Sequence, residues 1–373
     1  MALSVEFPWK SLSLIPGDHT MIIRAVRKLR KENYVIVYNS GKQKSIKLAK
    51  KALSILDSVE PGLYDFYMIL SENHSFRGVP AGDKSRACQL LARKHRVAES
   101  ICMMKLINCA ILPTEKPQLL FNNNATEPIP VRPLFYSSRE IKNIDVAQKH
   151  KTEFSRIIGL LICEGGQYNI YNIGSGRIKW SSHGENKAQL LTSRVLNANF
   201  LYDGVNGFYK SESAIMFVND FSAMNTILTA RKTPKDEHGF ELLSFDNTYD
   251  NIYMIPLSYN GAIVLKILST QNWRIRLATA IFGDLPNGSV SGTDGVIKLN
   301  DKSILLMFDG NISNIKRFNQ SLHITEARPD KWEILCFPWQ AEPIRQYLDH
   351  DVTIKVLPEE TVISSFFALD NLD

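Results

Sequence analysis

The sequence predicts a mixed α/β protein in which a basic N-terminal module precedes an α/β body. From Leu134 onward, apolar strands alternate with amphipathic helices, which is the order of layered α/β folds. Before that body, Pro16 to Leu48 combines a helix rich in Lys and Arg with two short strands around a glycine turn. The chain has 373 residues, of which 44% are apolar, so it can form two or three domains with substantial cores.

The basic helix is predicted to begin after Asp18, because a short carboxylate suits the N-cap position. Ile22, Val26 and Leu29 recur at helical spacing, with Ala25 beside them, and are expected to face the core. The opposite face carries Thr20, Arg24, Arg27 and Lys31. Helical geometry therefore places the charges on the solvent side.

The segments around this helix complete a winged helix-turn-helix pattern over residues 1–60. A short helix is predicted in "FPWKSLSLI", and Pro16 and Gly17 supply a tight turn before the basic helix. The segments "NYVIVY" and "QKSIKL" are predicted to pair as strands around the turn "NSGK". The resulting two-stranded wing carries Lys42 and Lys44 at its tip, where the phosphate backbone of bound DNA would lie.

The distribution of charge predicts a nucleic-acid partner for this module. Residues 1–60 hold 11 Lys/Arg against 5 Asp/Glu, whereas residues 151–373 hold 21 against 25. Phosphate contacts are predicted for Arg24, Arg27, Lys28, Lys31, Lys42 and Lys44. Base contacts are predicted for His19, Thr20 and Arg24 near the start of the helix. The alternative is a solvated basic helix that packs on the rest of the protein.

The remaining chain is predicted to form three further regions. Residues 61–130 make a helical connector, with a long helix from about Ser85 to Ala110, followed by a proline-rich linker. Residues 131–235 and 236–373 are predicted as two α/β domains. His95 and Glu99 lie one helical turn apart and could form an acid–base couple, but the spacing favours an ordinary packing pair because no nucleophile accompanies them.

The first α/β domain has the element order of a restriction-endonuclease-like core. The segments "QYNIYNIG" and "GRIKWSS" are predicted to form a hairpin around Gly174 to Gly176. A nuclease of this class needs an acidic-x-Lys pair on the hairpin strand to hold a divalent metal, but Arg177 stands two residues before Lys179. The acids of this region are Glu140, Glu164 and Glu185. The sequence therefore favours an inactive body, with a divergent metal-dependent nuclease as the alternative.

Several signals argue against other classes of protein. The sequence contains no GxxxxGK[ST], GxSxG or HExxH, and no GxGxxG between a strand and a helix, so no cofactor or metal is predicted. Asp246, Asp250 and Asp309 are interpreted as turn residues at strand ends. No run of about 18 apolar residues indicates a membrane span, and the first residues lack the features of a signal peptide. Five cysteines without a CxxC pair predict reduced thiols and a cytoplasmic location.

Four segments together carry a resemblance to a group of known proteins: "FPWKSLSLIPGDHT", "ARKHRVAES", "LFYSSREIK" and "IYNIGSGRIKW". In these segments the chain resembles uncharacterised winged-helix proteins of conjugative and other mobile elements of Firmicutes. It is similar, more remotely, to the replication-relaxation proteins, which join such a module to a nuclease-like body. The resemblance implies a DNA-linked role in the maintenance or transfer of a plasmid or integrative element, and it supplies no catalytic residue.

The sequence thus predicts a non-enzymatic protein that binds double-stranded DNA in replication, transfer or regulation of a mobile element. The body is expected to bind a protein partner or a second copy of the chain, and no heptad pattern requires a dimer. The alternatives are a metal-dependent nuclease and a protein-interaction scaffold in which the winged module is a docking surface.

Overall fold

The computed structural model shows a mixed α/β fold. It describes residues 1–40, 43–65, 67–68, 84–120, 127–128, 131–144, 155–201, 213–237, 239–246, 248–283, 295–299, 301–324 and 331–368. The chain forms two compact units. The first unit contains Met1–Glu153, Ile157–Leu161 and Leu191–Tyr209, and the second contains Phe154–Arg156, Ile162–Leu190 and Lys210–Asp373. The predicted boundaries after residues 60 and 130 fall inside the first unit, and the four-domain division stays a prediction.

The secondary structure consists of short strands and helices that alternate along most of the chain. The strands are β1 (Glu6–Pro8), β2 (Val35–Ser40), β3 (Gln43–Leu48), β4 (Glu127–Pro128), β5 (Leu134–Ser137), β6 (Gly159–Cys163), β7 (Gly166–Gly174), β8 (Lys179–Trp180), β9 (Phe200–Leu201), β10 (Ser213–Val218), β11 (Glu241–Leu242), β12 (Asn251–Pro256), β13 (Val296–Leu299), β14 (Lys302–Leu306), β15 (Trp332–Cys336) and β16 (Thr353–Val356). The α-helices are α1 (His19–Lys31), α2 (Lys50–Val59), α3 (Pro61–Asp65), α4 (Lys84–Leu106), α5 (Ser138–Ile144), α6 (Ser182–Asn199), α7 (Ala223–Leu228), α8 (Tyr259–Leu268), α9 (Trp273–Phe282), α10 (Ile312–Ile324), α11 (Pro338–Tyr347) and α12 (Glu359–Ala368). Short 3₁₀ helices occupy Trp9–Leu14 and Pro113–Glu115.

The N-terminal module is organised around a three-stranded antiparallel sheet in the order β1-β3-β2. Ile46 of β3 lies at its centre, opposite Phe7 on one side and Val37 on the other, and is completely buried. The β2–β3 pairing confirms the predicted hairpin, and the β-branched and aromatic residues Val35 to Tyr38 favour the strand conformation of β2. The tip of this hairpin, residues 41–42, lies outside the described residues.

The segment upstream of α1 differs from the sequence prediction. The sequence predicts a single helix over "FPWKSLSLI", but Glu6–Pro8 form β1 and only Trp9–Leu14 are helical, as a 3₁₀ helix. The reason is the free edge of β3, which pairs with β1 at Phe7 and its neighbours. Pro8 lies at the end of this pairing, where the ring does not remove a needed donor.

Helix α4 joins the N-terminal sheet through buried polar contacts as well as apolar ones. Met103 and Met104 have no exposed surface. Nζ of Lys94 lies 3.0 Å from Oε1 of Glu6 on β1, and both side chains are under 10% exposed. Oε2 of the same carboxylate accepts from the Tyr38 hydroxyl, and this contact together with burial raises the pKa of Tyr38. The Lys94–Glu6 ion pair therefore links α4 to two strands of the sheet.

The second unit contains a parallel β7-β10-β12 sheet, which differs from the predicted hairpin. β7 pairs with β10 in parallel, and β10 pairs with β12 in parallel. The prediction that β7 turns back onto "GRIKWSS" is wrong, because β8 pairs instead with β11. The interior of β7 is almost fully buried, and β10, the apolar strand with which it pairs in parallel, lies distant in sequence, whereas β8 has only two residues.

A second sheet of this unit has the order β13-β14-β15-β16. β13 and β14 are antiparallel, and the other pairs are parallel. α10 connects β14 to β15 and α11 connects β15 to β16, which confirms the predicted strand–helix alternation. Glu333 on β15 accepts from Lys302 and from Lys355 on the neighbouring strands, and these two contacts lower the pKa of Glu333.

No helix within the described parts of the chain combines the length and the apolar character needed to cross a membrane.

The buried ion pair of the first unit predicts a large effect on stability. We expect Lys94→Met to lower the free energy of unfolding by about 3–5 kcal/mol, because the carboxylate of Glu6 is left buried without its cation. The double variant Lys94→Met/Glu6→Gln should recover part of that loss. Urea unfolding followed by circular dichroism measures both. Lys50→Met is the control, since Lys50 lies in the same unit and is exposed, and its replacement should change stability by less than about 0.5 kcal/mol. Equal effects of Lys94→Met and Lys50→Met would contradict the prediction.

Candidate nucleic-acid interface

Helix α1 begins where the sequence predicts, because Asp18 caps it. Oδ1 of Asp18 accepts from the backbone N–H of Met21 at 2.8 Å. Gly17, with φ +117°, turns the chain between the 3₁₀ helix and α1. The direction of α1 is therefore set by local residues.

The polar face of α1 is open to solvent. The exposed side chains include every α1 residue that the sequence analysis assigned to DNA, namely His19, Thr20, Arg24, Arg27, Lys28 and Lys31. Among the described residues, no carboxylate forms an ion pair with Arg24, Arg27, Lys28 or Lys31. These cations are consequently available to an external anion.

The apolar side of α1 is narrower than its spacing predicts. Val26 is buried and Ile22 is partly buried, whereas Leu29 is 36% exposed and Ala25 is exposed. Met21 at the start of the helix is 60% exposed. The helix thus contacts the module along one seam centred on Val26, which leaves most of its circumference accessible.

Of the two lysines assigned to the wing, Lys44 belongs to the described residues and Lys42 does not. Lys44 is exposed on β3, opposite Asn39, and its Nζ lies 3.7 Å above the centre of the Trp9 ring. The aromatic face holds the ammonium group beside the 3₁₀ helix that precedes α1, while the charge stays accessible to solvent.

Aromatic rings position further lysines of this module that the sequence analysis did not select. The cation–ring pairs, with their Nζ to ring-centre distances, are Lys47 over Tyr38 at 5.1 Å and Lys51 over Tyr34 at 4.2 Å. Their partners come from other strands or helices, so register rather than sequence spacing brings them together. The alternation of apolar and basic residues in β3 was the one sequence signal that pointed to Lys47.

His95 and Glu99 are packing residues of α4 rather than an exposed acid–base couple. The ring Nε2 of His95 lies 2.7 Å from the Ser45 hydroxyl, and the Ser11 hydroxyl donates to Oε1 of Glu99 at 2.7 Å. His95 is 6% exposed and Glu99 is 5% exposed. Burial lowers the pKa of His95, which favours the neutral ring. These contacts and their burial assign both side chains to packing between α4 and the N-terminal segments.

The acids considered for a nuclease are engaged in separate structural contacts. In the first unit, Oε1 of Glu140 lies 2.7 Å from Nζ of Lys116, and burial lowers the pKa of that lysine. In the second unit, the carboxylate of Glu185 is fully buried and accepts from the hydroxyls of Ser155 and Tyr171 and from the backbone N–H of Arg156.

Lys179, the lysine considered for an acidic-x-Lys metal site, also forms an ion pair. Nζ of Lys179 lies 2.6 Å from Oδ2 of Asp236, and Glu164 lies in the turn between β6 and β7. In the portions of the chain that the structure describes, no group of three or more His, Cys, Asp or Glu side chains is placed to hold a metal ion.

Asp309 is a turn residue after a strand, as the sequence suggested, but the turn is buried. It follows β14, is 3% exposed, and Oδ1 accepts from the N–H of Asn311 at 3.0 Å. Burial raises the pKa of Asp309 to about 6, while Arg274 opposes this shift. Gly310 completes the turn with φ +69°, and a Cβ there would lie 2.6 Å from the carbonyl oxygen of Met254. The turn is buried because it packs beside β12, which sequence position does not reveal.

Comparison of the chain with protein-family models, with curated proteins and with solved structures found no significant match.

The buried carboxyl of Asp309 predicts a stability change that depends on pH. Because its pKa is raised in the folded state, protonation stabilises the fold, and stability is lost as pH rises from about 4 to about 6. Asp309→Asn removes this loss and keeps an acceptor for the N–H of Asn311. We expect the variant to gain up to about 3 kcal/mol over the parent at pH 7.5 and to gain nothing from this source at pH 3.5.

Thermal unfolding across this pH range is the measurement for Asp309→Asn. Asp220→Asn is the matched control, because Asp220 also follows a strand and accepts from the N–H two residues on, but is exposed. A difference between Asp309→Asn and the parent that is the same at both pH values would refute the prediction.

Proposed function

We propose that this chain is a DNA-binding protein that holds duplex DNA with α1 and the β2–β3 hairpin as a winged helix-turn-helix. The single observation that carries the proposal is the row of exposed basic side chains on α1, none paired with a described carboxylate. An α-helix of this diameter fits the major groove, and a basic hairpin beside it can follow the backbone. Binding would release counterions from the phosphates that these residues neutralise.

The roles of the individual residues follow from their positions. Arg24, Arg27, Lys28 and Lys31 would contact phosphates along α1, and Lys44 would contact them from β3. His19 and Thr20 lie in the first turn, which is the end of a recognition helix that reads base edges. The resemblance to winged-helix proteins of mobile elements supports replication, transfer or regulation of such an element as the setting.

The proposal predicts a salt-dependent affinity that falls when α1 loses its charges. We expect Arg24→Ala/Arg27→Ala/Lys28→Ala to weaken duplex binding and to make the slope of log affinity against log salt shallower. The change in slope should be up to about 0.9 for each phosphate that the variant no longer neutralises. Fluorescence anisotropy with a labelled random duplex across a salt series measures both quantities. Alanine replaces exposed residues of a helix, so the fold should be retained.

A control with the same change of charge separates a specific surface from net charge. Arg231→Ala/Lys232→Ala/Lys235→Ala removes three exposed cations of the second unit. We expect this variant to bind duplex DNA with the salt slope of the parent. The proposal fails if the two triple variants lose affinity equally, or if the parent does not bind duplex at low salt.

A protein-interaction scaffold is the second candidate, and exposed apolar side chains of the same module favour it. They are Met21, Leu29, Ile36, Ile55 and Val59. Helix α2 has no fully buried residue, although its sequence is amphipathic. Weak, salt-independent DNA binding by the parent, unchanged in the α1 variant, would favour this candidate.

The contacts of Glu140, Glu185 and Lys179 support a non-enzymatic role over the nuclease alternative. We expect supercoiled plasmid incubated with the protein and Mg²⁺ or Mn²⁺ to remain intact. Gel electrophoresis detects nicking and linearisation with high sensitivity. Cleavage that a chelator stops, and that Glu185→Gln abolishes without unfolding the protein, would instead establish the nuclease.

A further inference from the structure

Two histidines of the second unit face each other across a short gap. His323 lies in the last turn of α10, and His350 lies in the loop that connects α11 to β16. Nδ1 of His323 is 3.4 Å from Nε2 of His350, and the ring centres are 4.9 Å apart at an interplanar angle of 62°. The pair lies at a surface, since 52% of the His323 side chain is exposed.

A carboxylate fixes the orientation of His323. Oδ2 of Asp349 lies 2.8 Å from Nε2 of His323 and also accepts from Nδ2 of Asn319 at 2.8 Å. An ionised carboxylate accepts hydrogen bonds and does not donate them. The Nε2 atom of His323 therefore carries the proton, which leaves a lone pair on Nδ1 directed toward His350.

Asn319 holds this arrangement in place before any ligand binds. It lies one turn before His323 on the same face of α10 and is only 6% exposed. Its Nδ2 donates to the carboxylate of Asp349, and its Oδ1 accepts from the backbone N–H of Asp349 at 3.3 Å. The loop that carries His350 is thus attached to α10 by both a side-chain and a backbone contact of Asp349.

The separation of the two nitrogens fits a bound metal better than a direct hydrogen bond. Hydrogen bonds donated by N–H have typical lengths of about 2.7–3.2 Å. Two imidazole nitrogens that each lie about 2.0–2.1 Å from a tetrahedral zinc ion are separated by about 3.3–3.4 Å. The separation of 3.4 Å between His323 and His350 matches the second value.

We propose that His323 and His350 chelate a divalent transition metal of the zinc class, with Asp349 as the positioning residue. Imidazole nitrogen suits Zn²⁺, Ni²⁺ and Cu²⁺ and disfavours Mg²⁺ and Ca²⁺. The described residues offer no three-ligand group, so water or an external donor fills the remaining positions. The metal has an open coordination sphere and is reached from solvent.

The test is a zinc titration of the full chain without an affinity tag, read by competition with a chromophoric chelator. We expect the parent to bind Zn²⁺ and His350→Ala to weaken the affinity at least tenfold. Asp349→Asn should weaken it by about tenfold, because it removes the anion that orients His323. The thermal midpoint without zinc should stay within about 2 °C of the parent in both variants, since the histidines and Asp349 lie at the surface. Added zinc should raise the thermal midpoint of His350→Ala and Asp349→Asn less than it raises that of the parent.

His183→Ala is the matched control, because it removes another exposed histidine and should leave the zinc affinity unchanged. Mg²⁺ in place of Zn²⁺ should produce no shift of the thermal midpoint in any variant. The proposal is overturned if the parent does not bind zinc, or if His350→Ala and His183→Ala bind it as tightly as the parent does.

Discussion

The ion pair between Lys94 and Glu6 is the contact on which the first unit depends. It joins α4, a long and largely buried helix, to β1 at the edge of the N-terminal sheet. β1 in turn pairs with β3, and the 3₁₀ helix that follows β1 leads directly to α1. A buried Lys94 or Glu6 without its partner would cost several kcal/mol. This cost favours the register of β1 against α4 in which the two charged groups meet. The ion pair thus holds the strand that leads into the 3₁₀ helix before α1, while Asp18 and Gly17 set the direction of α1 itself.

This organisation explains how α1 exposes so much of its surface. One buried residue, Val26, fixes it to the module, while Asp18 and Gly17 fix its start. A helix with a broad apolar face would bury most of its circumference against the sheet. Here the N-terminal sheet, the Lys94–Glu6 ion pair and the Asp18 cap together hold α1 in place. The basic side chains of α1 and Met21 therefore stay accessible to solvent.

Local signals predicted some of these features, and contacts distant in sequence decided the others. The cap at Asp18, the basic face of α1 and the β2–β3 hairpin follow from residues a few positions apart. β7 pairs with β10, which lies beyond a helix, and not with the segment that follows it, so the glycines after β7 wrongly indicated a hairpin. The burial of Asp309 depends on β12, and the meeting of His323 with His350 depends on how a loop packs on α10. Spacing within a segment carries no information about such neighbours.

The basic residues of α1 differ in whether they contribute to the stability of the helix. Lys28, Arg30 and Lys31 lie in its last turn, where cations interact favourably with the helix dipole. Arg24 and Arg27 lie earlier, where the dipole gives little benefit, and each repels the cation four residues further along the helix, Lys28 or Lys31. Stability therefore accounts for the first group and not for the second. Because the second group costs the folded chain a few tenths of a kcal/mol and is exposed, the stability of the helix gives no reason for its presence, and the proposed DNA-binding face would account for Arg24 and Arg27 more than for the other cations.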